Sequence, residues 1–233
     1  MALRDGQRQG RQMTDRLRGS RFSAVMVRSL AVLSSVGLLS ILVACGSAPP
    51  QATPVAHAPG VPAGYSEFQD SGRGYALAVP KSWIQINVQS PDAAAAFAQL
   101  LKEKPQLAQV FGSSESSLIQ QNVSLLAVGP NETEVNMVVE PGNGTLTAAQ
   151  LGTVYSGEMQ PTYSRAGLKV QSHQIASLDG YPALRVAITF AVGNVVVPET
   201  QFVAGVHGNV YVLTISRTAP ALTSEIAGTV RFL

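Results

Sequence analysis

The chain has 233 residues, 45% apolar and 13% charged, with a formal net charge of +2, a length that suits one or two domains. The positive charge is local. Seven arginines (Arg4, Arg8, Arg11, Arg16, Arg18, Arg21 and Arg28) precede Cys45 against Asp5 and Asp15, while nine Lys and Arg face twelve Asp and Glu after it, a net of −3. That balance leaves no footing for nucleic-acid binding through phosphate neutralisation, and a single cysteine excludes an intramolecular disulfide framework or a cysteine-based metal site.

The amino terminus comes first in chain order. After Arg28, Ser29 to Ala44 form sixteen residues without a charge. A bilayer-spanning helix needs roughly 20 apolar residues, so a basic stretch followed by sixteen fits the apolar core of a signal peptide better than an anchor helix. Leu42-Val43-Ala44-Cys45, followed by Gly46 and Ser47, resembles the bacterial lipobox. That resemblance implies that the Cys45 thiol accepts a diacylglyceryl group, that cleavage falls just before it, and that Cys45 becomes a lipidated amino terminus. Two acyl chains on one residue supply the two signals that stable anchoring needs, at about 0.8 kcal/mol per buried CH₂. The competing readings, a buried free cysteine in a core helix or a catalytic thiol, are less favoured, because no histidine accompanies Cys45 in a recognisable pattern. Translation starts at Met1, Met13 or Met26; the last would leave only Arg28 ahead of the apolar run.

Residues 45–62 then form a tether. Gly46 to Pro62 is rich in Pro, Ala and Gly and holds no charge or aromatic ring; it cannot bury a core and is expected to be extended and semi-rigid. His57 within it is expected to be solvated.

The folded domain is expected over 63–233. Tyr75–Val79 and Trp83–Val88 read as strands broken at Pro80, which cannot donate to a ladder. Trp83, the only tryptophan, is placed to plug one end of a core. Residues 90–105 carry helix punctuation: Ser90 as N-cap, Pro91 in the first turn, Asp92 against the dipole, Lys102 and Lys104 at the end, Pro105 as stop. Weaker helical stretches follow at Gln106–Phe111 and Glu115–Gln121. Val123–Val128 and Glu134–Val139 are strands joined through Gly129-Pro130-Asn131, and Thr147 to about Tyr163 is a second long helix.

A β-rich block closes the chain. Lys169–Leu178, Ala183–Val192, Thr200–Val206 and Val210–Ser216 are strands separated by Asp179-Gly180-Tyr181-Pro182, Gly193-Asn194 and Gly208-Asn209. Within the second of these, Leu184, Val186, Ile188, Phe190 and Val192 share one face and Ala183, Arg185, Ala187, Thr189 and Ala191 the other. Connections this short require antiparallel pairing. A short helix falls within Thr218–Val230. These elements predict an α+β sandwich, an antiparallel β-sheet flanked by helices in an α/β/α arrangement.

Three motifs carry a family resemblance. Tyr75-Ala-Leu-Ala-Val-Pro80-Lys-Ser-Trp83 resembles the opening of PsbP-like domains, Leu178-Asp-Gly180-Tyr-Pro182-Ala183 their central turn, and Val206–Thr214 their last hairpin. Within that superfamily the chain is most similar in kind to actinobacterial lipoproteins of the LpqN type. The resemblance covers Tyr65 to the end apart from a helical insertion at about 91–121, and it implies the fold without shared catalytic residues.

No G-x-S-x-G, S-x-x-K, H-E-x-x-H or P-loop pattern occurs. Gly142-Asn143-Gly144 reads as a turn. His173 and His207 lie on separate strands and make a weak metal pair. Glu132, Glu134 and Glu140 border one hairpin and suggest a carboxylate site, although alternating solvated charge is the preferred reading. Asn122, Asn131 and Asn143 fit the glycosylation acceptor pattern, which a lipobox-bearing bacterial protein does not use. No catalytic residue, metal or cofactor is therefore expected, and Cys45 is the one site residue, for lipid attachment. The expected function is a non-catalytic binding or protein-interaction module on the outer face of the cell membrane. Its partner would be an envelope protein or a small apolar or lipid ligand. The alternative is a cell-envelope hydrolase with an unrecognised site.

Overall fold

The structure, a computed structural model, describes residues 60–107, 118–119, 121–192 and 194–233. Cys45, His57, the apolar run before them and most of the two weak helical stretches lie outside the described residues.

The strands are β1 (Tyr65–Asp70), β2 (Tyr75–Pro80), β3 (Ile84–Asn87), β4 (Val123–Val128), β5 (Glu134–Pro141), β6 (Lys169–Leu178), β7 (Tyr181–Val192), β8 (Val195–Val206), β9 (Asn209–Ser216) and β10 (Arg231–Phe232). They form a seven-stranded sheet in the order β3-β4-β5-β9-β8-β7-β6 and a three-stranded sheet in the order β1-β2-β10. Every neighbouring pair is antiparallel. The helices are α1 (Ala93–Glu103), α2 (Ala148–Val154), α3 (Gln160–Arg165) and α4 (Pro220–Ala227).

Because side chains alternate across a strand, the large sheet buries two separate cores. On one face, Phe97 and Leu100 of α1, Leu151 of α2 and Tyr163 of α3 pack with Leu126, Val138, Val212, Val203 and Val186. On the other, Tyr75, Leu77 and Val79 of β2 join Ile226 and Ala227 of α4 against Leu125, Met137, Leu213 and Phe202. The expected α+β fold on an antiparallel sheet is observed. On the second face α4 shares the cover with the three-stranded sheet, which the sequence patterning had not separated out.

Hydrogen bonds tie the two sheets together. The Tyr75 hydroxyl donates to Ser124 Oγ at 2.9 Å, and Ser124 Oγ donates to Asp70 Oδ2 at 2.6 Å. Ser124 sits where the β4–β5 register shifts, and a bulge of this kind re-aims one side chain.

Several expected boundaries move for local reasons. Ser90 does not cap α1. It closes a turn with Asn87 (N to O, 3.0 Å), and the N-cap is Asp92, without a side-chain capping bond. The four-residue turn expected at 179–182 contracts to Asp179-Gly180, both at positive φ (48° and 80°), with Leu178 paired to Tyr181. Two left-handed residues in succession match the twist of antiparallel strands. His207-Gly208 does the same (50° and 83°), so the turn expected at Gly208-Asn209 lies one residue earlier. β8 starts at Val195 rather than Thr200, running through Pro198. The second long helix begins where expected, and its start is fixed by a reciprocal capping box between Thr147 and Gln150.

Candidate functional site

The second helical segment is not continuous α-helix. A π turn, Tyr155–Met159, joins α2 to α3, and Pro161 follows in the first turn of α3. Proline removes one donor from the helical ladder, and a π turn rotates the residues beyond it relative to those before. Tyr155 stacks on His173 of β6 with ring centroids 3.9 Å apart. Two turns on, Tyr163 points into the sheet and its hydroxyl donates to Gln201 Oε1 at 2.6 Å.

Gln201 belongs to a buried polar tile on the helix-facing side of the large sheet. The register puts Glu134 (β5), Ser216 (β9) and Glu199 (β8) in one row across three adjacent strands, and Asn136, Thr214 and Gln201 in the next. Two residues further along, Val138, Val212 and Val203 belong to the helix-side core, so the tile continues that core with polar groups. Glu134 and Glu199 are only 7% and 5% exposed, Asn136 and Thr214 2% each, and Gln201 0%.

Burying two carboxylates is costly unless each is neutralised or hydrogen-bonded. Asn136 Nδ2 donates to Glu134 Oε1 at 2.7 Å. Gln201 Nε2 donates to Glu199 Oε1 at 2.8 Å, and Ser216 Oγ to Glu199 Oε2 at 3.0 Å. Neither glutamate takes part in an ion pair among the described residues. Burial pushes the Glu134 carboxyl up to about 8, with the Glu199 charge adding to the rise and the Asn136 amide opposing it. Burial likewise pushes Glu199 up to about 7 against the bonds from Gln201 and Ser216. Asn136 Oδ1 and Thr214 Oγ1 are buried with no hydrogen-bond partner among the described residues.

Tyr163 is the link between this tile and the helix layer. Tyr163→Phe would leave Gln201 Oε1 buried without its donor, so a loss of about 1–3 kcal/mol is expected in denaturant unfolding. A neutral result would show that Gln201 re-pairs within the tile.

The three glutamates singled out from the sequence separate. Glu132 lies in the Pro130–Glu132 turn and pairs with Arg217, and Glu140 accepts a bond from Asn122. Glu134 alone is buried, so the preference for solvated charge fails there. Its partner carboxylate, Glu199, was missed because the strand was expected to start at Thr200. The polar residues of β5, β8 and β9 share the parity of Val138, Val203 and Val212, a signal visible only once the register is known. His173 and His207 have different partners: His173 stacks on Tyr155, and His207 Nε2 lies 3.1 Å from the Tyr181 hydroxyl at the β8–β9 turn. Trp83 is 7% exposed and belongs to the core beneath the three-stranded sheet, as its position after the Pro80 bend suggests.

A family model described as PsbP matches residues 63–225. No curated protein matches the chain. Among solved structures, the solution structure of a cyanobacterial PsbP from Synechocystis aligns at 16% identity and a TM-score of 0.46, covering 77% of this chain and 99% of that one. A crystal structure from Bacteroides thetaiotaomicron aligns at 9% identity and a TM-score of 0.43, over 72% of this chain and 48% of that one. A Pseudomonas aeruginosa protein of unknown function, described as a putative regulator, aligns at 11% identity and a TM-score of 0.29, over 69% of this chain and 86% of that one.

Proposed function

The chain belongs to the PsbP family, and from that premise we propose that it is a lipid-anchored, extracytoplasmic binding module of the bacterial cell envelope, akin to actinobacterial lipoproteins of the LpqN type. The observation that carries this reading is an order along the chain. Leu42-Val43-Ala44-Cys45 ends the apolar run, a charge-free Pro/Ala segment follows, and the family match begins at residue 63, just before β1 at Tyr65. The whole domain thus lies downstream of Cys45. On this reading residues 1–44 are a signal peptide, Cys45 carries the lipid, and residues 45–62 hold the domain off the membrane surface.

A binding role is favoured over a catalytic one by the burial of the carboxylate pair. Glu134 and Glu199 lie under the helix layer at 7% and 5% exposure, where a bulky substrate has no access to them. The partner is an envelope protein, with a small apolar or lipid ligand as the second reading.

The test of the anchor is Cys45→Ser in the native host. The expected result is an unprocessed precursor that takes up no fatty-acid label. Continued labelling or normal processing would overturn the lipoprotein reading. Crosslinking and pull-down from intact envelopes with the wild-type protein would then identify what the domain holds.

A further inference from the structure

We propose that the buried tile formed by Glu134, Asn136, Glu199 and Thr214 is a binding site for one hard divalent cation of the size of Ca²⁺. Two independent features point there. The first is charge: two carboxylates face the same buried strip, with no lysine, arginine or histidine paired to either among the described residues. The second is unsatisfied acceptor capacity. Asn136 Oδ1 can only accept, and it is buried without a partner beside Thr214 Oγ1, which is also without one. A side-chain amide oxygen placed beside carboxylates calls for a positive centre or a donor.

The geometry suits a cation. Glu134 and Glu199 flank Ser216 on the two neighbouring strands, which places their backbones two strand spacings apart, about 9.6 Å. Two glutamate side chains reaching inward from that separation can share one ion above the central strand. Each carboxylate offers about four lone-pair sites, more than the bonds from Asn136, Gln201 and Ser216 occupy. The donor set is carboxylate, amide and hydroxyl oxygen throughout, the choice of hard cations. A strip this dry favours an ion that accepts an irregular, all-protein oxygen shell over Mg²⁺, which retains several waters. Once the ion has displaced the carboxyl protons, the two negative charges match its own. The nearby Arg217 is already paired with Glu132, so it does not oppose the ion's entry at the less sealed glutamate row.

The experiment uses the full-length chain in detergent after chelator treatment. Calorimetric titration with CaCl₂ near pH 7.5 is expected to show one site per chain. Thermal unfolding is expected to shift upward as free Ca²⁺ rises, because an ion that binds only the native state stabilises it by mass action. Glu199→Gln should weaken binding by about 100-fold while the metal-free midpoint stays the same or rises, since a buried charge has been removed. Thr214→Val should weaken binding with little change in the metal-free midpoint. Absence of binding heat and of a midpoint shift at millimolar Ca²⁺ would overturn the proposal. So would equal binding by wild type and the Glu134→Gln/Glu199→Gln double variant, which would place the ion elsewhere.

Discussion

Trp83→Ala is expected to destabilise the domain by about 3–5 kcal/mol, the range for truncating a large buried aromatic side chain. The indole follows the Pro80 bend, where the Trp83 N–H bonds the Pro80 carbonyl at 3.0 Å and turns the chain from the three-stranded sheet into the seven-stranded one. Its ring lies so close to Gly129 that a Cβ there would come within 2.4 Å of the indole and within 2.4 Å of Thr133 Oγ1. The Gly129 backbone therefore forms one wall of the tryptophan site, and the side chain packs with Tyr75, Leu77 and Val79 in the core between the sheets. Truncation opens a cavity against a strand turn held by the Gly129 N–H bond to Thr133 O (2.8 Å), so collapse is limited and the cost falls toward the upper part of the range. Denaturant unfolding of the full chain measures it. A change below ~1 kcal/mol would mean that the ring contributes little to the core and serves a surface instead.

What was readable in the sequence follows from the range of the interactions involved. The meander of β6 to β9 was legible because period-2 alternation and left-handed turn residues are local signals. Leu184, Val186 and Ile188 are buried together, as their spacing predicts. α1 was legible from Lys102 and Pro105, although its start was not: Pro91, expected in the first turn, precedes the Asp92 N-cap, and the turn at Asn87–Ser90 competes for Ser90. β1 and β10 were not seen. β1 alternates weakly, and β10 is two residues that become a strand only because Arg231 and Phe232 meet Ala76 and Tyr75 from the other end of the chain. The polar tile needed more still. Glu199, Gln201, Thr214 and Ser216 look like ordinary outward-facing polar residues until β5, β9 and β8 are set in register and their shared face proves to be the one under α3. Cys45, by contrast, was readable only as a motif and lies outside the described residues.

The same tile sets the pH dependence. In chelator, the stability of the wild-type domain is expected to fall as pH rises from about 5 to about 8. The sign follows from where the two groups titrate. Both carboxyl groups are raised above the ordinary value of 4.5, Glu134 to about 8 and Glu199 to about 7, with burial as the leading cause in each. The native state therefore holds protons that the unfolded chain has already released. Stability linked to these groups is complete below the unfolded value and is lost as pH climbs through the native ones. The groups facing them, Asn136, Gln201, Ser216, Thr214 and the Tyr163 hydroxyl, carry no charge in this range, so no neighbour in the tile reverses the slope. A tenfold change in a carboxyl's proton affinity is worth about 1.4 kcal/mol, which makes a total loss of a few kcal/mol across the window the expected scale. Glu134→Gln/Glu199→Gln should flatten the profile and leave the domain more stable than wild type at the alkaline end. Most domains lose stability on acidification because paired carboxylates must protonate; here the tile pulls the other way. A wild-type profile rising from pH 5 to 8, or one unchanged by the double substitution, would show that the two glutamates are ionised and compensated in the native protein at neutral pH.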